Sequence, residues 1–396
     1  MPRPARLSPG LLGVLSFLAA VGPFATDMYL ASFTSISDDL GTQPSAVQLT
    51  LTAFLVGMGA GQLVLGPLSD QLGRRPVLIA ALAVFAAAGI AMVFSPSIGV
   101  FIALRLVQGF AGSAGVVVSR AVAVDLSEGA AAIRAISLIA MFVGLGPLLA
   151  PPIGGAVLLV ADWRVVLAVV ALLAVAMLVL AILCVPESLP PAARSSAGPR
   201  SAIRSMGTLL GDGRFVLLMA VFGLAFGGMM SYISASPFVG QTVLGMSPFA
   251  YASAFAAGAA ALILANSLNA RVAGKVPAAR MLLLGGALSL TAGIALVVLV
   301  VSGALAPWSF VVCAFTLTAG TGFSMSNASA LALALAPASR GSASALLGAA
   351  QFAVGGAASP IVGAWGEHTA LPMAIFVLAA AVLACAGSLR FARRGV

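Results

Sequence analysis

Charge is what this sequence has least of. Asp, Glu, Lys and Arg make up 7% of its 396 residues, against about a quarter in average soluble domains. So few charges cannot clothe a water-facing surface, which excludes a soluble globular domain and leaves lipid as the solvent that fits. Histidine occurs once, at His368, beside Glu367. There is no HExxH run, no pair of intramembrane aspartates and no acid-rich metal motif. A metal-dependent or acid–base catalytic centre therefore lacks its parts, and no catalytic set, metal or other cofactor is expected. The three cysteines, Cys184, Cys313 and Cys385, lie in apolar runs without metal-ligand spacing, so neither a zinc site nor a disulfide framework is expected. No selectivity-filter repeat appears, which argues against a channel. The net charge of +9 is dispersed in short basic clusters between apolar runs, not gathered on one face, and no nucleic-acid partner is expected.

What the sequence does have is apolar length: 61% of its residues are hydrophobic. A helix needs about 20 apolar residues to cross the hydrocarbon core. Twelve runs qualify, at roughly 10–32, 47–69, 77–95, 98–124, 134–160, 164–185, 215–239, 248–270, 280–302, 307–334, 342–365 and 371–390. The first is read as a retained helix, because further apolar spans follow it with no small-residue cleavage site before a soluble domain. Basic residues set the direction. With the N-terminus inside, the inner segments hold Arg3, Arg6, Arg74, Arg75, Arg134, Arg194, Arg200, Arg204, Arg214, Arg271, Lys275, Arg280, Arg340, Arg390, Arg393 and Arg394, and the outer segments hold Arg164 alone. Both termini are then expected on the cytoplasmic side. The stretch 186–214, rich in Pro, Ser, Ala and Arg, reads as a cytoplasmic linker between six-span bundles at 1–185 and 215–396. The halves echo each other: Pro152-Ile153-Gly154-Gly155-Ala156 in span five resembles Pro360-Ile361-Val362-Gly363-Ala364 in span eleven, and Leu68 to Arg75 resembles Leu268 to Lys275. Duplicated halves are the usual build of secondary transporters.

The loop after span two reads Gly66-Pro67-Leu68-Ser69-Asp70-Gln71-Leu72-Gly73-Arg74-Arg75-Pro76. Gly73 permits a backbone conformation that other residues resist, and Pro76 suits the first turn of span three. Asp70 and Arg74 can pair across the turn, with Asp125 at the inner end of span four as a further partner. Such a cluster either latches helices in one state and releases them in another, or serves only as topology signal and helix cap. The loop resembles the signature loop between helices two and three of the major facilitator superfamily, with Gln71 where that family has a basic residue. Together with the spans, the central loop and the half-repeat, the resemblance covers essentially the whole chain. It implies an all-α membrane fold of twelve helices in two pseudo-symmetric six-helix bundles.

Inside span four, Arg105-Leu106-Val107-Gln108-Gly109-Phe110-Ala111-Gly112 places Gln108, Gly109 and Gly112 on the face of Arg105. Small residues there allow close helix approach, and an intramembrane Arg should face a partner or a wet cavity. The run resembles the superfamily's fourth-helix Arg motif, which is linked to proton transfer; a structural ion pair is the other reading. Asp27, the acid well inside span one, is the natural partner, unless it merely caps the helix. Burial disfavours an ionised carboxyl and a nearby Arg favours it, so a change in their pairing would change proton affinity. In span five, Gly144-Leu145-Gly146-Pro147-Leu148-Leu149-Ala150-Pro151-Pro152-Ile153-Gly154-Gly155 resembles the antiporter motif of drug-exporting members, with Ala150 and Pro151-Pro152 departing from its usual Gly-Pro; generic Gly/Pro packing is the alternative.

Finer details resemble the bicyclomycin and chloramphenicol resistance exporters: Thr26-Asp27-Met28-Tyr29-Leu30, Gln48-Leu49-Thr50-Leu51, Gly61-Gln62, Ser236-Pro237-Phe238-Val239 and Ser326-Asn327-Ala328, with Ala31 in place of the usual proline. That resemblance implies a drug:proton antiporter of the bacterial cytoplasmic membrane, exporting small antibiotic-like compounds and acting as a monomer. Transport of sugars, amino acids or organic acids, including import, is the alternative, and the span-five motif favours export. Tyr29, Gln48, Gln62, Gln108, Tyr232, Asn327 and Gln351 are candidates to line a substrate cavity, with hydrogen bonding between helices as the competing role.

Overall fold

The structure is a computed structural model. It describes residues 7–127, 129–191, 206–336, 340–363 and 368–393. Most of the expected central linker, with Arg194, Arg200 and Arg204, lies outside the described residues, as do Arg3, Arg6, Glu367 and Arg394. Among the described residues 86% are helical and none forms a strand. Spans two to four run Pro44–Leu72, Arg74–Val93 and Ile98–Asp125. Spans five and six are Gly129–Val157 and Trp163–Cys184; spans seven to nine are Gly213–Phe238, Pro248–Val272 and Ala278–Val301. The last three are Pro307–Ala334, Arg340–Gly363 and Leu371–Arg393. Among the described residues, eleven candidate spans are long and apolar enough to cross a bilayer, and span five supplies the shorter apolar stretch Met141–Val157. This is the twelve-helix, multi-pass architecture that the apolar runs anticipate. Large side chains such as Leu172, Leu183, Val301 and Trp308 stay exposed, as expected where lipid is the solvent.

Span one is the exception to continuity. It consists of Pro9–Ala19, Val21–Asp27, a 3₁₀ turn at Leu30–Ser32, and Phe33–Asp39. Two local causes are visible. Pro23 has no N–H to donate back along the helix. The Thr26 hydroxyl donates to the Gly22 carbonyl at 2.9 Å, a side-chain bond that competes with the backbone ladder and bends helices. Asp27 is therefore the last residue of a helical piece, at a break within the span.

Two compact units emerge: residues 1–40 with 53–196, and residues 41–52 with 197–396. In the first, backbone meets backbone through glycine. A Cβ on Gly57 would lie 2.3 Å from the Leu106 carbonyl oxygen, one on Gly61 2.2 Å from that of Phe110, and one on Gly109 2.1 Å from that of Phe54. Small residues thus bring spans two and four into direct contact, the packing mode that substitutes in lipid for hydrophobic driving force. In the second unit, the start of span two lies on span eleven: Thr52 donates to the Gly356 carbonyl at 3.0 Å, and Gln48 and Ser45 crowd Gly363. Spans eight and ten are tied by amides and hydroxyls, with Asn327 donating to Asn269 and Ser326 to Asn266, each at 2.8 Å.

Candidate functional site

The first unit brings Asp27, Tyr29, Arg105 and Gln108 together. Asp27 is 5% exposed, and its Oδ1 lies 2.8 Å from Thr26 Oγ1, sharing that hydroxyl's one hydrogen with the Gly22 carbonyl. Arg105 is fully buried. Its guanidinium carbon stands 3.8 Å from the centroid of the Tyr29 ring, 5.2 Å from that of Phe54 and 5.9 Å from that of Phe101. The rings offer their negative faces to the cation. One nitrogen, Nη1, donates to Gln108 Oε1 at 2.8 Å. Asp27 and Arg105 act on each other electrostatically, yet they form no ion pair among the described residues: Arg105 reaches for the rings and the amide instead. The expected direct pairing is thus replaced by an indirect one, because Tyr29, two residues beyond Asp27, takes the face of the guanidinium.

Span five closes this site from the side, and its glycines differ sharply. A Cβ on Gly154 would fall 1.8 Å from the Met28 carbonyl oxygen, and one on Gly146 would fall 2.4 Å from Pro23 Cβ. Both contacts are with the broken part of span one, on either side of Asp27. Gly144, by contrast, faces open space. Pro147, Pro151 and Pro152 all sit inside the helix, and Gly155 is buried.

A second cluster ties the ends of four segments. Gly73 has φ 107°, a value that favours glycine, and it caps span three. This turn aims Arg74 inward, where it bonds Asp70, Ser69 Oγ at 2.8 Å and Asp125 Oδ2 at 3.1 Å. The Arg74 backbone N–H donates to Glu187 Oε1 at 2.9 Å, and Ser188 donates to Asp125 at 2.8 Å. Arg75 turns the other way and donates to the Ile182 carbonyl at 2.8 Å. Gly66 packs against Val117. Sequence reasoning missed Ser69, Glu187 and Ser188. Their signal was position: Pro186 ends span six, which puts the next two polar residues at the same end of the unit as Asp125.

The remaining cavity candidates belong to both units. Gln62 is half-buried in the first unit. In the second unit, Gln48 lies buried against Gly363, Gln351 is half-buried on span eleven, and Asn327 is committed to Asn269 and to the Phe323 carbonyl. Tyr232 heads an aromatic cluster, stacked on Phe255 at 6.0 Å between centroids and tilted against Phe310 at 5.8 Å. Nearby, Ser236 and Tyr251 share a hydrogen bond of 2.9 Å. A cavity of about 430 Å³ between spans two, three and four is lined by apolar side chains such as Leu65, Val77 and Phe110, and none of the polar candidates lines it.

Known proteins agree with this architecture. Two solved transporters share the fold. A bacterial homologue of the human lysosomal transporter Spinster, inward-facing and unoccupied, superposes with TM-score 0.75 at 17% identity, over 97% of both chains. A POT family transporter in complex with 5-aminolevulinic acid gives 0.79 at 11% identity, over 99% of this chain and 98% of that one. In sequence, the chain is 34% identical to the MFS-type transporter YdgK of Bacillus subtilis, over 96% of this chain and 93% of that one. It is 32% identical to a bicyclomycin resistance protein homologue of Haemophilus influenzae, over 94% and 92%. The family model described as Major Facilitator Superfamily matches residues 15–360, and the chain belongs to that superfamily of membrane transporters.

Proposed function

We propose that the protein is a proton-coupled exporter of small antibiotic-like compounds, working by alternating access in the bacterial cytoplasmic membrane with both termini inside. The observation that carries this reading is Asp27: a carboxyl buried at a break in span one, under the influence of a buried Arg105 that does not neutralise it by direct contact. A carboxylate so placed is costly to keep ionised and gains or loses a proton when its surroundings shift. The segment that carries it is not held in a regular helix, so it is the part of the span best able to shift. The Arg74 cluster is the candidate for a latch on the cytoplasmic side, holding one conformation until the change that breaks it. The halves 1–185 and 215–396, joined by the linker 186–214, are the bodies that would move. Export of drug-like compounds is supported by the bicyclomycin resistance homologue. A chloramphenicol resistance protein of Pseudomonas aeruginosa adds to it, 39% identical over 40% of this chain and 37% of that one.

The test is accumulation of labelled chloramphenicol in a bacterial strain stripped of its major exporters, with and without a protonophore. The wild type should lower accumulation, the protonophore should restore it, and Asp27→Asn at equal membrane expression should not lower it. An Asp27→Asn variant that exports normally removes the proton role from Asp27. A wild type that leaves accumulation unchanged removes chloramphenicol from the substrates.

A further inference from the structure

We infer that Arg105 and Gln108 form a binding site for a compact anionic group, either a free monovalent anion or the carboxylate of a transported compound. The inference rests on the transport reading for its biological use, not for its geometry. Arg105 is fully buried and carries five donor hydrogens. Only Nη1 is spent, on Gln108; Nε and Nη2 have no hydrogen-bond partner among the described residues. The Gln108 Nε2 amide is equally unpartnered, and so is Nε1 of Trp163, whose ring lies 6.1 Å from that of Phe101. Every one of these groups is a donor. Aromatic faces stabilise the cation but accept hydrogen bonds poorly, so the rings of Tyr29, Phe54 and Phe101 leave those N–H groups unsatisfied. Buried polar groups are ordinarily satisfied, and exceptions call for a water, an ion or a functional role. Uncompensated positive charge and an excess of donors favour an acceptor that is itself negative.

The other charges of the unit leave this role open. Asp39 pairs with Arg164, Asp70 and Asp125 pair with Arg74, Asp162 caps span six, and Glu187 accepts from the Arg74 and Leu189 backbone. Among the described residues, Tyr29 acts on Arg105 at close range and Asp27 acts on it through space. An ionised Asp27 supplies part of the missing negative charge; a protonated one supplies none. The site therefore takes an anion most strongly when Asp27 is neutral, so protonation of Asp27 and anion binding at Arg105 favour one another. A fixed buried cation of this kind also disfavours lipophilic cations as substrates at this position.

The experiment is a thermal-stability titration of the full chain purified in detergent. Sodium bromide and sodium benzoate are each exchanged against sodium gluconate at constant ionic strength, and every variant is read against its own gluconate baseline. The expected result is a saturable rise in melting temperature for the wild type. Asp27→Asn should reach half-saturation at roughly tenfold lower anion concentration, and Gln108→Leu and Arg105→Lys at roughly tenfold higher. Saturation by bromide with benzoate silent assigns an inorganic anion; saturation by benzoate assigns a carboxylate-bearing compound. A response of the same size and midpoint in all four proteins, or no response in Asp27→Asn, overturns the site. Binding in this order alongside an Asp27→Asn variant that still exports would leave the anion site standing and remove the proton role.

Discussion

Gly154→Ala puts the largest structural demand on the smallest change. The added methyl carbon would begin 1.8 Å from the Met28 carbonyl oxygen, and ordinary contact starts at 3.4 Å. Relief requires spans one and five to part by about 1.6 Å, because the obstacle is backbone and has no rotamer to change. Overpacking of this order costs about 1–3 kcal/mol. For a body of this size that is a fall in melting temperature of very roughly 3–10 °C. The strain falls on the residue after Asp27, and a misplacement of about 1 Å can cost a hundredfold in activity. The assay pairs a melting curve in detergent with protonophore-sensitive chloramphenicol accumulation. Gly144→Ala is the control: it comes from the same motif, with the same chemistry, but its Cβ would meet nothing within 4 Å. Gly154→Ala should melt earlier and lose at least tenfold in export rate, while Gly144→Ala should match the wild type. Equal behaviour of the two variants would refute the claim that this motif acts through close contact with span one.

Two further predictions concern the Arg74 cluster. Arg74→Ala removes bonds to Ser69, Asp70 and Asp125 at once and leaves Asp125 with Ser188 as its partner among the described residues; the loss should be about 1–3 kcal/mol in a denaturation measurement, and Arg74→Lys should recover only part of it because an ammonium cannot reproduce the fork. Gly73→Ala would force a side chain into φ 107°, at about 1–3 kcal/mol, and limited proteolysis should cut the loop between spans two and three faster than in the wild type.

The parts of this protein that scarcity marks were the parts legible in its sequence. With so few charges, Arg105 and Asp27 stood out inside apolar runs, and Asp70 and Asp125 stood out as partners for Arg74. Long apolar runs gave the spans for the same reason: in lipid, nothing but a helix satisfies the backbone over that length. The break in span one was not legible, since Pro23 and Thr26 occur in helices elsewhere in membranes and only their spacing around Gly22 produces the competing bond. Nor was the aromatic surround of Arg105. Phe54 and Phe101 come from different spans, and a phenylalanine in an apolar run carries no sign of what it faces. Polarity alone does not separate a side chain that lines a cavity from one that joins helices, as Asn327 does.

The three features around Asp27 depend on one another. A broken span exposes backbone groups that lipid cannot satisfy, so it persists only when enclosed by protein. Enclosure at backbone distance needs residues without side chains, and Gly146 and Gly154 supply them on the span-five side. The same enclosure buries Asp27 and Arg105 together, where each charge is felt more strongly than in bulk water. Had the two met in a close ion pair, each would have fixed the other's state and neither would respond readily to its surroundings. Holding Arg105 on Tyr29, Phe54 and Phe101 keeps the cation in place without consuming the carboxyl. On the proposed reading, it is this separation that would let Asp27 change its protonation and Arg105 meet an anion.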